Sequence, residues 1–150
     1  MAQTTSGVSG RAVYIAIATD GSTFTNISGL GNSVEVDGGE RNMGETFTAD
    51  GDTPIVTAGK RAALNVKVKA VYTEATSEAY ALAKAAYEAP SALYVRWAPK
   101  GNTTGYNQYT TASGVVTNPP YQGVADVGDG SALMVEFTVM AASITQAAIA

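Results

Sequence analysis

One segment of this sequence has the period of an α-helix, and this limits the fold more than any other feature. It is residues 76–89, TSEAYALAKAAYEA. Its apolar stripe, at helical spacing, consists of Ala79, Leu82, Ala83 and Ala86. The other apolar segments alternate with the period of two that is typical of strands. Because one helix cannot cover two sheets, the sheets must cover each other. We predict a mainly β fold, an antiparallel β-sandwich or partly closed barrel with one flanking helix.

Local signals set the ends of this helix. Thr76 is predicted to be the N-cap, and Pro90 ends the helix. Lys84 and Glu88 are spaced to form an i, i+4 ion pair. Tyr80 and Tyr87 flank the stripe, and we interpret them as rings that seal the core.

The strongest strand prediction is Arg61–Tyr72. Its even-numbered side chains from Leu64 are apolar, whereas Lys67 and Lys69 lie on the other face. One face is therefore buried and the other is wet or forms an interface. The other predicted strands are residues 11–19, 24–30, 33–36 with Val34 and Val36 inward, 93–97, and 133–140, with a hairpin of 106–111 and 115–117 that turns at Ser113-Gly114.

The composition excludes several classes of function. The 150-residue chain has no Cys and no His, which excludes thiol catalysis, Cys/His zinc sites and Ser-His-Asp triads. The net charge of −4 disfavours attraction to nucleic acid. We expect one domain over residues 1–150, with a flexible arm at 1–10. The apolar tail, 141–150, is expected to add to a sheet or dock on a neighbour.

The stretch from Ser33 to Lys69 divides its charge unevenly. Its first part carries Glu35, Asp37, Glu40, Glu45, Asp50 and Asp52 against one base, Arg41, and its last part carries Lys60, Arg61, Lys67 and Lys69 with no acid. A long hairpin loop at about 43–58, with Asp50-Gly51 at its tip, carries three of these acids and leads into the basic part. Loops of this length usually carry function or are disordered. Opposite charges in one chain favour self-association over catalysis.

Two acidic motifs and a set of aromatic residues leave alternatives open. DGDTP at Asp50–Pro54 and DVGDG at Asp126–Gly130 resemble fragments of calcium loops, and we interpret both as solvated turns. We expect no catalytic residue, cofactor or metal. Five aromatic side chains could line a sugar-binding face: Tyr94, Trp97, Tyr106, Tyr109 and Tyr121. A carbohydrate-binding module, a capsid decoration protein and a fibre subunit therefore remain alternatives.

The order of segments over about residues 22–139 resembles the major tail proteins, or tail tube proteins, of long-tailed bacteriophages, which are related to type VI secretion tube proteins. A short strand with TNISG at Thr25–Gly29 precedes the acidic hairpin. A basic-faced strand ending in Tyr72-Thr73-Glu74, the Ala-rich helix and Leu93–Trp97 follow. The order and lengths of the segments match better than the identities of their residues.

The resemblance implies a structural subunit of a virion tail, assembled in the host cytoplasm. Such subunits form hexameric rings whose sheets together line a channel, and the rings stack through the long hairpin and the terminal arms. The implied partners are further copies of the chain, the tape measure protein, and the tail terminator and tail tip proteins. DNA would pass without tight binding. The contacts between rings or subunits are then expected at Glu45, Phe47, Asp50, Asp52, Ile55, Lys60, Arg61, Lys67 and Lys69.

Overall fold

The computed structural model describes residues 3–4, 6–123, 128 and 130–150. These residues form a mainly β structure with one α-helix. Its elements are β1 Tyr14–Ala18, β2 Thr25–Asn26, β3 Gly31–Gly38, β4 Arg41–Thr46, β5 Ile55–Arg61, β6 Leu64–Val71, α1 Ala79–Glu88, β7 Tyr94–Ala98, β8 Asn107–Thr111, β9 Gly114–Val116, β10 Met134–Ala141 and β11 Ile144–Ala148.

Two antiparallel sheets form a sandwich. The five-stranded sheet has the order β11-β8-β7-β1-β2, and the four-stranded sheet has the order β3-β6-β10-β9. Among the described strands, β4 and β5 pair only with each other and form a separate hairpin. The predicted sandwich with a flanking helix is thus confirmed, and the sheets do not close into a barrel.

The core lies between the inner faces of the two sheets. Val66, Val68 and Phe137 of the four-stranded sheet are fully buried with Ile17 and Val95 of the five-stranded sheet. The period of two in β6 and β10 produces this arrangement, because alternate side chains point to opposite faces. The face that the sequence assigned to the core in β6 is therefore the buried one.

Helix α1 closes the core through its small side chains. Ala79, Ala83 and Ala86 are buried in the same cluster as the sheet residues. Because alanine side chains are small, the helix can approach the sheet residues of the core closely, as the apolar stripe predicted. Lys84 and Glu88 form the predicted ion pair, with 3.9 Å between Nζ and Oε1.

The predicted N-cap of the helix is wrong. The helix begins at Ala79, with Glu78 in the cap position and no side-chain hydrogen bond capping the helix there. The Thr73 hydroxyl donates a hydrogen bond to the Glu78 carboxylate. Residues 76–78 therefore form a turn before the helix, and Thr76 lies outside it.

The predicted hairpin over residues 106–117 is also wrong. Strand β8 pairs with β7 and β11, whereas β9 pairs with β10 in the other sheet. The chain crosses between the sheets at Gly114, where an added Cβ would lie 2.2 Å from a Val139 methyl group. Glycine is needed here for close approach of the two strands, and the sequence does not distinguish this role from a turn.

The strand predicted over residues 61–72 is confirmed as β6, but it begins three residues later than predicted. Strand β5 ends at Arg61 in the hairpin, and β6 begins at Leu64 in the four-stranded sheet. On the opposite side, Gly38 and Gly39 have φ of +77° and +76°, a conformation that favours glycine. They turn the chain out of the sandwich and into the hairpin.

The C-terminal tail adds to a sheet, because β11 pairs with β8. This is one of the two outcomes that the sequence predicted for the tail.

Candidate self-assembly surfaces

The hairpin of β4 and β5 stands apart from the core. Every residue from 40 to 63 is exposed except Gly51, which is half-buried. The paired strands place Met43 opposite Ala58, and Glu45 opposite Val56. Seven of the predicted contact residues lie in this segment: Glu45, Phe47, Asp50, Asp52, Ile55, Lys60 and Arg61. The structure thus brings most of the predicted contact residues onto one projecting element.

Large apolar side chains on this hairpin are open to solvent. Met43, Phe47, Ile55 and Val56 are each 53–60% exposed. Strand register places Met43 and Val56 on one face, together with Glu45, and Ile55 on the other. Large apolar groups exposed on both faces of a projecting element are typical of a protein–protein interface.

Charge is separated along the hairpin. The distal part carries Glu45, Asp50 and Asp52, and the bases lie where the hairpin joins the sandwich, with the acid Glu40 beside them. There, Arg41 and Arg61 are directly opposite each other, and the Arg41 guanidinium donates to the Gly59 carbonyl oxygen at 3.0 Å. Among the described residues, no carboxylate forms an ion pair with any base of the hairpin.

Lys67 and Lys69 lie elsewhere, on the outer face of the four-stranded sheet. Both face Glu136 of β10, with Nζ–Oε distances of 3.5 and 3.7 Å. Sequence reasoning missed Glu136. Its alternation within residues 133–140 assigns it to the outer face, but the register between β6 and β10 joins segments almost 70 residues apart and cannot be read from the sequence alone.

The outer face of the four-stranded sheet is open and mostly polar, apart from the exposed pair of Met140 in β10 and Val115 in β9. Its rows across the strands, in register, are Ser33-Lys69-Glu136, Glu35-Lys67-Thr138 and Asp37-Asn65-Met140. Among the described strands, the outer edges of β3 and β9 pair with no other strand. Such edges are ready to pair with another chain.

An apolar notch opens where the two sheets part. It has a volume of about 300 Å³ and is lined by Val36, Trp97, Tyr109 and Ile144. The Trp97 and Tyr109 rings stack with 5.6 Å between centroids. The expectation that Val36 points into the core is only partly right. Val36 pairs with buried Val66 but remains 48% exposed, because it lies at the open end of the sandwich.

The five aromatic residues considered for sugar binding do not share one face. Trp97 and Tyr109 face the notch, whereas Tyr94 lies on the opposite face of β7, beside Gly21. The Lys100 ammonium lies over the Tyr106 ring, with 4.4 Å between Nζ and the ring centroid. Tyr121 packs edge-on against Tyr87 near the helix. This dispersal removes the flat aromatic platform that sugar stacking needs.

Two tyrosines of helix α1 cover the edge of the core, as the sequence predicted. Tyr80 and Tyr87 both pack against the core, and the Tyr80 ring contacts Tyr72 edge-on at 4.8 Å. Desolvation, followed by the nearby Glu74 carboxylate, raises the pKa of Tyr72. Desolvation and the hydrogen bond to Glu88 raise the pKa of Tyr121. These phenols are therefore neutral and act as packing groups.

The acidic motifs form no metal site in the part of the chain that the structure describes. Asp50 and Asp52 are exposed at the hairpin tip, and no group of three potential ligands gathers among the described residues. The second motif, residues 126–130, lies largely outside the described residues. Within the described ranges, no helix has the length and apolarity that a bilayer span requires.

No family model matches this sequence, and no curated protein matches it. Solved structures share its fold. A chain of the six-fold symmetrised anti-feeding prophage baseplate aligns with a TM-score of 0.69 and 10% identity, over 98% of this chain and 99% of that one. A chain from the tail of an empty GTA particle, refined with C6 symmetry, gives 0.65 and 13% identity, over 96% and 100%. A chain of the extended sheath–tube complex of PVC, an extracellular contractile injection system, gives 0.64 and 11% identity, over 97% and 94%. At these identities the likeness shows the fold alone.

Proposed function

We propose that this protein is a structural subunit of a phage-type tail tube, which forms rings that stack into a tube around a channel. The observation that carries the proposal is the projecting hairpin with solvent-exposed apolar and charged residues. A soluble monomer gains nothing from such an element, whereas a polymer can bury it at every repeat. The solved structures with this fold come from tail and injection particles, two of them with six-fold symmetry, which supports hexameric rings.

The four-stranded sheet supplies a route to ring closure. We infer that the outer edge of β3 in one copy pairs with the outer edge of β9 in the next. Main-chain hydrogen bonds would then continue the sheet around the ring. Its mostly polar outer face would line the channel, and the hairpin would extend to the next ring. Helix α1 lies outside this sheet arrangement and would face outward.

The proposed channel face suits the passage of a polyanion. Lys67 and Lys69 are the bases on this face, and Glu136 neutralises part of their charge. Each phosphate held by a free base adds to a salt-dependent affinity. A face with paired lysines would let DNA pass without tight binding. The tape measure protein, the tail terminator and the tail tip proteins remain proposed partners, and the virion tail is the proposed location.

Electron microscopy of the purified protein tests this function. We expect negatively stained samples to contain rings or tubes, and sedimentation velocity to show assembly that increases with concentration. A variant in which Glu45–Ile55 is replaced by a short Gly-Ser link should keep the native circular dichroism spectrum but form no tubes. A compact monomer at every concentration and salt would overturn the proposal. Tubes from the deletion variant would overturn only the role of the hairpin.

A further inference from the structure

The notch and the hairpin are both apolar surfaces left uncovered by the described residues. We propose that the notch of one copy receives Phe47 from the hairpin of a second copy. This inference rests on the proposed tube assembly and deepens it, because it names the surface that holds the hairpin.

The notch is an apolar concavity between the two sheets. Trp97 and Tyr109, whose rings stack, line it together with Val36 and Ile144. Its volume of about 300 Å³ is near the lower limit of small-molecule pockets. Aromatic anchors that fill such pockets are common at the centres of protein interfaces. Phe47, 60% exposed, is the largest apolar side chain of the hairpin.

The occupant comes from another copy. Gly38 and Gly39 direct the hairpin away from the sandwich directly after β3. The hairpin is exposed along its whole length except at half-buried Gly51, so its own sandwich does not bury it. A contact between two different surfaces of identical chains is heterologous, and it closes a ring or extends a stack. Both outcomes match the proposed tube.

Charge complementarity supports the same partner. Acids flank Phe47 on both sides, with Glu45 two residues before it and Asp50 three residues after it. On the receiving copy, Arg41 follows the notch residue Val36 by five residues, and Arg61 pairs with Arg41. Because a chain spans at most about 3.6 Å per residue, Val36 and Arg41 lie within about 18 Å of each other. A hairpin seated on the notch therefore brings its acids to the side of the receiving copy that carries these bases.

Disulfide trapping tests the contact directly. The chain has no cysteine, so introduced thiols are the sole ones. Val36→Cys protein is mixed with Phe47→Cys protein, assembled and oxidised, and the products are separated on a non-reducing gel. The matched control replaces Phe47→Cys with Thr57→Cys, because Thr57 pairs with Gly44 within the hairpin, on the face opposite Met43 and Val56. A disulfide requires Cα atoms within about 7 Å, so we expect dimers from the first mixture and few from the control.

A second variant tests the notch without cross-linking. Val36→Glu places a charge in the notch, and Val36→Leu keeps the notch apolar. Since Val36 is half exposed, both variants should fold with a parent-like melting temperature. We expect Val36→Glu to raise the critical concentration for assembly by at least about tenfold and Val36→Leu to leave it within about twofold of the parent.

The outcomes separate this inference from the proposed function. Tubes with the selective cross-link support both. Tubes whose Val36→Cys and Phe47→Cys mixture gives no more dimer than the Thr57→Cys control overturn the notch and leave the tube intact. A protein that never assembles overturns the proposed function and this inference with it.

Discussion

At the scale of single residues, Ala83 shows how tightly helix α1 packs. Its side chain is fully buried against the core. Ala83→Leu inserts extra carbon atoms into a filled space, and we expect it to lower the free energy of unfolding by roughly 1–3 kcal/mol. Urea denaturation of the soluble variant measures this loss. Ala85→Leu, at an exposed position of the same helix, is the control. A parent-like stability of Ala83→Leu would show that this face of the helix is open.

A second residue gives a prediction for acid pH. The Asp20 carboxylate accepts hydrogen bonds from the backbone N–H groups of Thr23 and Ser22, at 2.8 and 2.9 Å, and these bonds lower its pKa to about 2. A depressed pKa in the folded state contributes stability above the unfolded pKa, and this contribution disappears as the pH falls toward the folded pKa.

Asp20→Asn keeps an oxygen acceptor and removes the titration. We expect the stability of the variant to fall less steeply than that of the parent between pH 4 and pH 2. Thermal melts across this range measure the two slopes. Parallel slopes would show that Asp20 contributes nothing to the acid response.

At the scale of elements, the structure separates two basic groups that the sequence treated as one. Lys67 and Lys69 are paired with Glu136 inside the subunit, whereas Lys60 and Arg61 belong to the exposed hairpin. Both groups are among the contacts expected from the sequence. The ion pairs of Lys67 and Lys69 make Lys60 and Arg61 the stronger candidates for a contact with the acidic hairpin of a neighbour.

Charge reversal distinguishes the two groups. Lys60→Glu with Arg61→Glu should block assembly and leave the melting temperature unchanged, because no described carboxylate pairs with these bases. Lys67→Glu with Lys69→Glu should lower the melting temperature, since like charges across neighbouring strands destabilise a sheet. Melting curves and sedimentation of both double variants provide the readouts. Unhindered assembly of the Lys60 and Arg61 variant at low salt would contradict the prediction.

Sequence reasoning predicted those features that depend on local periodicity. The buried face of β6, the alanine stripe of α1 and the projecting hairpin all follow from patterns within about ten to twenty residues. Sequence reasoning failed where the structure depends on pairing between segments that are distant in the sequence. The sequence around Gly114 predicts a turn, whereas the chain crosses there from one sheet to the other. Glu136 lies beside Lys67 and Lys69 because of the register between β6 and β10, which are distant in the sequence. The notch was missed for the same reason, since its four residues come from four strands or strand ends.

At the scale of the whole molecule, the distribution of bases accounts for the expected behaviour toward DNA. Arg96 lies on the outer face of the five-stranded sheet, because it alternates with the buried residues Val95 and Trp97. Its guanidinium stacks over the Phe24 ring at 3.7 Å and its Nε donates to the Thr110 hydroxyl. It therefore lies away from the proposed channel face, where Lys67 and Lys69 are held by Glu136.

This arrangement predicts that assembled protein does not bind duplex DNA tightly, and that Glu136→Gln creates such binding. The substitution frees two lysines per subunit on the proposed channel face, and their repetition around a ring would form a basic girdle. Filter binding at low salt is the measurement, because low salt exaggerates attraction to phosphate. We expect the variant to bind with an affinity that falls steeply as salt rises. Glu88→Gln is the matched control, since it removes the same charge from helix α1. Tight, salt-sensitive binding by the parent tubes, or equal binding by both variants, would contradict a channel lined by this sheet.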